Sequence, residues 1–492
     1  MKKKIFFRAD GNSIIGLGHL YRSFALMEML QDTFECTFIT HENSTTTVIP
    51  ASYNLILIPA KTSLAQEAHW LQKTLDTKGV FIADGYHFTS TYQKQIKQVG
   101  FNLIYIDDLT TEHFYADAVI NHASIVSLEA IKKEIYTSYY FGTKYAMLRP
   151  LFLAQAAIKK SHIEPMHSVF VCFGGADAFN LTLKATQSLL TFRHIKHIHI
   201  VLGAAYTNTK IDSLELDNSS VVIHRNIEEA AMIEVMQSCQ FAIAPASTIL
   251  YELCCIKMPI LSGYYVSNQK HIYRGLLAHQ VIFDGGNFEH YTVSDFTQKL
   301  TKCFEQESNT LIRNQSVLFD ASIQHRFKNI VLSLSEEYQI RNATKGDMML
   351  FFDWANEPVT RAMSFNSEPI LLENHKQWFA NQLEATDSHL LIMDVVQNNR
   401  KIPVGNVKFN SEGTIGISLD PRYRGKGLGP FLINQGLQFI AQNNPYPCIF
   451  AYIKEENTKS QTVFEQAGFV FSQKTRVGKT PCLEYTLTPS TL

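Results

Sequence analysis

Between Ile5 and about Pro150, short apolar runs alternate with stretches whose apolar residues recur at helical spacing. Ile5-Phe6-Phe7, Cys36–Ile39, Leu55–Ile58, Val80–Asp84, Leu103–Asp107 and Ala118–Asn121 read as strands, and this alternation predicts βαβ units and a parallel sheet. Several runs end in polar residues, as at Asp84-Gly85-Tyr86-His87 and Asp107-Asp108. Ligands of open α/β sheets bind beyond the carboxyl ends of the strands, so that edge is the expected active face. A second series opens at Ser168–Phe173, turns through Gly174-Gly175 and enters a helix near Asn180-Leu181-Thr182. His197–Leu202, Val221–His224 and Phe241–Pro245 continue the strands, and Asn226–Gln237 reads as a helix. The last strand runs into Ser247-Thr248, a hydroxyl pair placed to cap the next helix.

After Gln339 the character changes, with Trp354 and Trp378 both in the final stretch. Three units are expected, at 1–152, 153–337 and 338–492, with Leu311–Glu337 as a helical connector. A chain of 492 residues is too long for one core. Its 44 basic and 45 acidic residues leave a net charge of -1, without the basic excess that nucleic acid or a membrane surface would require. Small molecules are the expected partners. The eight cysteines are scattered, and none has zinc spacing. They read as free thiols of a reducing compartment, and no metal is expected. Met1-Lys2-Lys3-Lys4 looks like the start of a signal peptide, but Arg8 and Asp10 interrupt the apolar stretch behind it. With no membrane-length apolar run, a cytoplasmic location is expected.

The richest chemistry lies in Arg8-Ala9-Asp10-Gly11-Asn12 followed by Ile15-Gly16-Leu17-Gly18-His19-Leu20-Tyr21-Arg22. A glycine turn after a strand brings backbone N–H groups close to a bound anion. His19 falls where the next helix begins, a position that suits a neutral proton acceptor. Asp10 fits either turn stabilisation or orientation of the reacting groups. Arg22 fits either a helix-to-sheet bridge or a ligand contact. Tyr86, His87, Asp107 and Asp108 sit at strand ends, where turns also favour polar residues.

These motifs, with Cys172-Phe173-Gly174-Gly175-Ala176-Asp177-x-x-Asn180-x-Thr182, Gly142-Thr143-Lys144-Tyr145-x-x-Leu148-Arg149-Pro150 and Tyr265-Val266-x-Asn268-Gln269, resemble the UDP-sugar hydrolases of pseudaminic acid synthesis. The likeness covers most of residues 1–335. It implies an α/β fold with two Rossmann-like domains of glycosyltransferase-B type. The activity it implies is metal-independent, inverting hydrolysis of UDP-2,4-diacetamido-2,4,6-trideoxy-β-L-altropyranose at the anomeric carbon. His19 is then the candidate base, with Asp10 and Tyr86 orienting sugar or water. Gly18, Arg22, Gly174, Gly175, Asn180, Ser247, Thr248, Asn268 and Gln269 are candidates for holding the UDP-sugar, and Glu252 for the ribose hydroxyls. Hydrolysis chiefly requires an activated water and stabilisation of charge on the departing phosphate.

In the third unit, the alternating strand Ile415–Leu419 leads through Asp420-Pro421-Arg422-Tyr423-Arg424-Gly425-Lys426-Gly427-Leu428-Gly429 to an apolar helix. Successive N–H groups in such a turn form an anion nest suited to pyrophosphate. Together with Glu456-Asn457-x-x-Ser460 and Glu465-x-x-Gly468-Phe469, the run resembles the GNAT N-acetyltransferases. That resemblance implies a GNAT-type α/β domain and acetyl-CoA as co-substrate. Leu419, Arg424, Gly425, Lys426, Gly427, Leu428, Gly429 and Asn457 would bind it. Phe464 stands where many such enzymes carry an acidic tyrosine, which leaves Tyr452 or a water as the proton donor. Phe352–Pro358 with Arg361 and Ser364-Phe365-Asn366 fits either an acceptor site or core.

Acetylation of a UDP-4-amino sugar would supply the substrate that the hydrolase half then cleaves. A glycosyltransferase with a UDP-amino sugar donor, a hydrolase of an isomeric diacetamido sugar, and a non-catalytic nucleotide-sugar sensor are the rival expectations.

Overall fold

A computed structural model describes residues 2–12, 15–122, 131–158, 160, 165–174, 177–203, 206–267, 269–397, 400–443 and 446–488. The first sheet has seven parallel strands, in the spatial order Leu55–Ile58, Glu35–His41, Lys4–Ala9, Val80–Asp84, Asn102–Ile106, Ala118–Asn121, Ser138–Phe141. Phe6, Phe7, Phe81, Ile82 and their neighbours are buried on both faces. Parallel strands covered by helices need continuous apolar runs of this kind. Chain order reverses between Lys4–Ala9 and Val80–Asp84, which opens a crevice at their carboxyl ends.

A second parallel sheet repeats the scheme, in the order Val221–Arg225, His197–Leu202, Ser168–Val171, Phe241–Pro245, Ile260–Tyr264, Phe283–Asn287. Helices Asn309–Leu318 and Ile323–Ser335 follow it. The second of these returns to the first unit. Its Gln324 donates to the Met29 carbonyl at 2.9 Å, Lys328 pairs with Asp32 at 2.6 Å, and the Leu334 carbonyl accepts from Asn102 at 2.7 Å. Phe327, Ile330, Val331 and Leu334 join a core that also contains Phe7 and Phe24. The connector is therefore part of the first unit's packing and leaves little freedom between the two sheets.

The remaining strands form an antiparallel four-stranded sheet, Glu337–Asn342, His389–Gln397, Arg400–Phe409 and Ile415–Leu419. A three-stranded sheet combines Ile449–Lys454, Thr480–Leu487 and Val470–Val477. Thr414 and Phe450 make a single parallel bridge between them. Helices Leu428–Asn443 and Thr458–Gln466 pack against the edge strand Ser138–Phe141 of the first sheet, covering an edge that would otherwise expose unpaired backbone groups. Asn434 donates to Ser138 Oγ at 3.0 Å, Gln466 to Tyr145 Oη at 2.8 Å, and Lys133 Nζ to the Thr137 and Ala467 carbonyls at 2.8 and 3.3 Å. Among the described residues, no helix is long and apolar enough to cross a membrane.

Gly468 sets the last of these contacts. It ends helix Thr458–Gln466 at φ +98°, and the Phe469 N–H closes the turn on the Phe464 carbonyl at 3.0 Å. A Cβ there would lie 2.8 Å from Lys133 Cε. Gly468→Ala is expected to cost roughly 1–2 kcal/mol from backbone strain alone, read as a lower midpoint of thermal unfolding.

Two candidate active sites

The first site is a cleft of about 270 Å³ between the two parallel sheets. The loop from Asp10 folds back on itself, with the Gly16 N–H donating to the Asn12 carbonyl at 2.9 Å, and delivers His19 into the first turn of helix Gly18–Leu30. Leu17, at its N-cap, makes no side-chain capping bond. His19 Nδ1 meets Asp84 Oδ1 at 2.8 Å. Asp84 ends strand Val80–Asp84 and is 1% exposed. Its other oxygen accepts from Arg22 Nε at 2.8 Å, and Arg22 also donates to Asp108 at 2.7 and 2.9 Å. With the carboxylate taking the Nδ1 proton, Nε2 is the proton-accepting nitrogen of a ring that lines the cleft. Tyr86 stands edge-on to His19, ring centres 4.6 Å apart, and donates to Asp108 at 3.3 Å.

Burial opposes ionisation of Asp84 and Asp108, but the Arg22 charge outweighs it and holds both carboxyls below the usual range. His122 follows strand Ala118–Asn121 and lies 3.6 Å from Asp108. Burial pushes its pKa down to about 4.

Across the cleft lie Ser247 and Thr248, at the start of helix Thr248–Ile256, and Gln269, at the start of helix Gln269–Ala278. Ser247 spends no side-chain bond on capping its helix. Its hydroxyl and the first N–H groups of that helix suit a phosphate. Gln269 Oε1 accepts from the Tyr265 N–H at 3.0 Å, which fixes the amide against its own loop. The structure thus brings Gly18, His19, Arg22, Tyr86, Ser247, Thr248 and Gln269 together.

Other expected residues stand elsewhere. Asp10 is not part of the cleft lining: its carboxylate binds Thr40, the His41 N–H, Ser44 and His87 at 2.9–3.1 Å and Arg8 at 2.5 Å. These contacts make it a turn anchor. Gly174 and Asn180 also lie outside the lining. The N–H groups of Leu181 and Thr182 are taken by Asp177 at 2.8 and 2.7 Å, so a carboxylate already fills the anion position of that helix. Glu252 is buried and gripped by Arg149 at 2.8 and 3.0 Å. Gly175 and Asn268 lie outside the described residues. Asp84, named above only as a strand end, and His122 are not among the candidate residues, yet Asp84 holds His19 and His122 lines the cleft. Each sits at the carboxyl end of a strand.

The second site is a cavity of about 1100 Å³. Leu419, Arg424, Gly425, Gly427, Leu428, Gly429 and Asn457 all line it. Gly425 and Gly427 adopt φ of +74° and +72°, a backbone that turns successive N–H groups inward only where no Cβ interferes. Lys426 points away and covers the Tyr423 ring, 4.7 Å from its centre. Asn457 caps helix Thr458–Gln466 by accepting from the Ser460 N–H at 3.2 Å. Arg424 turns out to bind protein, pairing with Glu357 at 2.7 Å and Thr360 at 2.9 Å. Burial disfavours the Glu357 carboxylate, but Arg424 and the N–H groups of Val359 and Thr360 bring its pKa down to about 2. Phe464 is core, packed on Phe469. Tyr452 faces Glu484 on the next strand and does not line the cavity. Of the segment read as either acceptor site or core, Trp354 is buried and donates to Asp420 at 3.3 Å, whereas Arg361 and Ser364 line the cavity.

Removing Arg22 would leave Asp84 and Asp108 as neighbouring buried charges. Arg22→Met is expected to lose about 3–5 kcal/mol of stability, measurable by calorimetry. His122 gives a pH signature. Unfolded, it takes a proton near pH 6.5, and in the native chain only near 4. Between these values the unfolded chain holds the extra proton, so stability falls as pH drops through this window, by up to roughly 3 kcal/mol. His122→Asn should flatten the dependence of the unfolding midpoint between pH 6.5 and 4.

Comparison with known proteins divides along the same line. Residues 338–470 match the acetyltransferase (GNAT) domain model. An uncharacterized protein of Methanocaldococcus jannaschii is 24% identical over 97% of this chain and 98% of its own. The UDP-2,4-diacetamido-2,4,6-trideoxy-β-L-altropyranose hydrolase of Campylobacter jejuni is 25% identical over 54% of this chain and 93% of its own. The spore coat polysaccharide biosynthesis protein SpsG of Bacillus subtilis is 25% identical over 53% of this chain and 77% of its own. The chain carries a GNAT acetyltransferase domain joined to a part similar to proteins of sugar biosynthesis.

Proposed function

We propose that the chain couples two reactions: acetyl transfer from acetyl-CoA to the amine of a UDP-4-amino sugar, and hydrolysis of the resulting UDP-diacetamido sugar to UDP and free sugar. The observation that carries the hydrolytic reading is the half-buried His19, held by buried Asp84, facing Ser247 and Thr248 across one cleft. His19 Nε2 takes a proton from water as the water oxygen bonds to the anomeric carbon. The bond from that carbon to the β-phosphate oxygen breaks, and UDP leaves with its electron pair. Asp84 stabilises the imidazolium as it forms, and Ser247, Thr248 and their helix N-terminus offset the charge on the departing phosphate. Relatives that act on UDP-diacetamido sugars or serve polysaccharide synthesis support this substrate class.

For acetyl transfer, the Gly425–Gly429 turn suits the pyrophosphate of CoA, and the character of the remaining wall bears on the acceptor. Among the described residues, Arg361 presents a buried Nε without a hydrogen-bond partner, and Lys408 lies over the Trp378 ring, 5.6 Å from its centre. Burial lowers the pKa of both. Two under-compensated cations favour an anionic acceptor such as a nucleoside diphosphate sugar over a polyamine.

The test is a mass-spectrometric assay of UDP-amino sugars with and without acetyl-CoA. CoA should appear only when a UDP-4-amino sugar is present, and UDP only after acetylation. His19→Ala should lower UDP release roughly 10²–10⁴-fold and leave CoA release intact, whereas Gly427→Val should abolish CoA release. An unimpaired His19→Ala removes the base assignment. Acetylation confined to a peptide amine removes the coupling, and sugar passed to an alcohol acceptor in preference to water makes the first site a glycosyltransferase.

A further inference from the structure

The cavity beside the Gly425–Gly429 turn is not closed by the acetyltransferase unit alone. Tyr140, Lys144 and Tyr145 of the first unit and Arg326, Asn329 and Ile330 of the returning connector helix form part of its wall. Asn329 donates to the Gly425 carbonyl at 2.5 Å, and a Cβ on Gly427 would sit 3.5 Å from the Asn329 backbone. The connector therefore rests directly on the anion nest. Arg326 donates to the Lys144 carbonyl at 3.1 Å and also pairs with Asp320, bringing two cationic side chains to one side of the cavity. Among the described residues, the Lys144 ammonium makes no ion pair, and it lies over the Tyr145 ring, 5.7 Å from its centre. It is half-buried, and desolvation followed by repulsion from Arg326 lowers its pKa. Glu465 offsets only part of this, and a half-buried ammonium next to a second cation is costly unless an anion completes the site.

We propose that Lys144 and Arg326, from outside the acetyltransferase unit, bind the phosphate end of CoA, so that the CoA site is shared between the unit that carries the glycine turn and the units that precede it. The inference rests on the acetyl-CoA reading above. CoA carries a pyrophosphate and a 3′-phosphate, more negative charge than one backbone nest can offset, and the two side chains supply the remainder. Docking of helices Leu428–Asn443 and Thr458–Gln466 on strand Ser138–Phe141 holds the two halves of the site in register. Bound CoA would in turn strengthen that docking by mass action.

The experiment is calorimetric titration of the full chain with CoA, for wild type, Lys144→Met, Lys144→Glu and the control Lys479→Glu on the exposed turn between the last two strands. Thermal unfolding of the CoA-free proteins verifies that each is folded. The proposal expects Lys144→Met and Lys144→Glu to weaken CoA by roughly tenfold or more, with the charge reversal the worse of the two, and Lys479→Glu to bind as wild type does. In wild type, CoA should raise the unfolding midpoint, and in Lys144→Glu it should do so far less at the same concentration. Wild-type affinity in folded Lys144→Glu overturns the shared site and leaves the acetyl-CoA reading standing. Failure of the wild-type chain to bind CoA overturns both.

Discussion

Arg22 is the interaction on which the first site depends. Its guanidinium lies between Asp84 and Asp108, two carboxylates on the ends of adjacent parallel strands that would repel each other without it. Neutralised in this way, Asp84 can remain ionised in a buried position and present one oxygen to His19. The carboxylate then orients the ring and favours the tautomer with its proton on Nδ1, which a side chain in the first turn of a helix would not otherwise have. Arg22 is three residues further along the same helix, so the base and the cation that organises its partner are placed by a single turn of backbone. The Tyr86–Asp108 bond extends the network to the rim of the cleft.

Docking imposes a comparable constraint at the second site. The two helices that flank the glycine turn are also the ones that cover the edge of the first sheet. Polar bonds from Asn434, Gln466 and Lys133 set the position of that contact. A helix from the middle of the chain, Ile323–Ser335, belongs at once to the core of the first unit and to the wall of the CoA-sized cavity. Both sites also touch one margin of the first sheet. Asn121 and His122 line the first, and Tyr140, on the strand paired with Ala118–Asn121, lines the second.

Residues with local signals were legible in the sequence. The start of helix Gly18–Leu30, the hydroxyl pair before helix Thr248–Ile256 and the Gly425–Gly429 turn each follow from spacing within a dozen residues, and each lies where the pattern puts it. Partners could not be read that way. Asp84 and Asp108 are 65 and 86 residues from His19 and Arg22 respectively, and only the parallel register brings those strand ends together. At the Gly174 turn the local pattern did not show that Asp177, four residues before Leu181, serves the helix that follows. Edge strand Ser138–Phe141 is four residues long, too short to show a period of its own. Strand Ile260–Tyr264 follows the apolar helix Thr248–Ile256 after only Lys257-Met258-Pro259, a spacer short enough to hide it. Lys144 carries no local sign of facing a cavity whose other wall lies more than 180 residues away.

Activation of water by the first site for attack at the anomeric carbon is decided by turnover of a UDP-diacetamido sugar in ¹⁸O-labelled water. One ¹⁸O atom is expected in the released sugar and none in UDP, with the label at the anomeric hydroxyl before it exchanges. Label in the phosphate of UDP would mean that the phosphorus–oxygen bond is the one cleaved, and would contradict attack at the anomeric carbon.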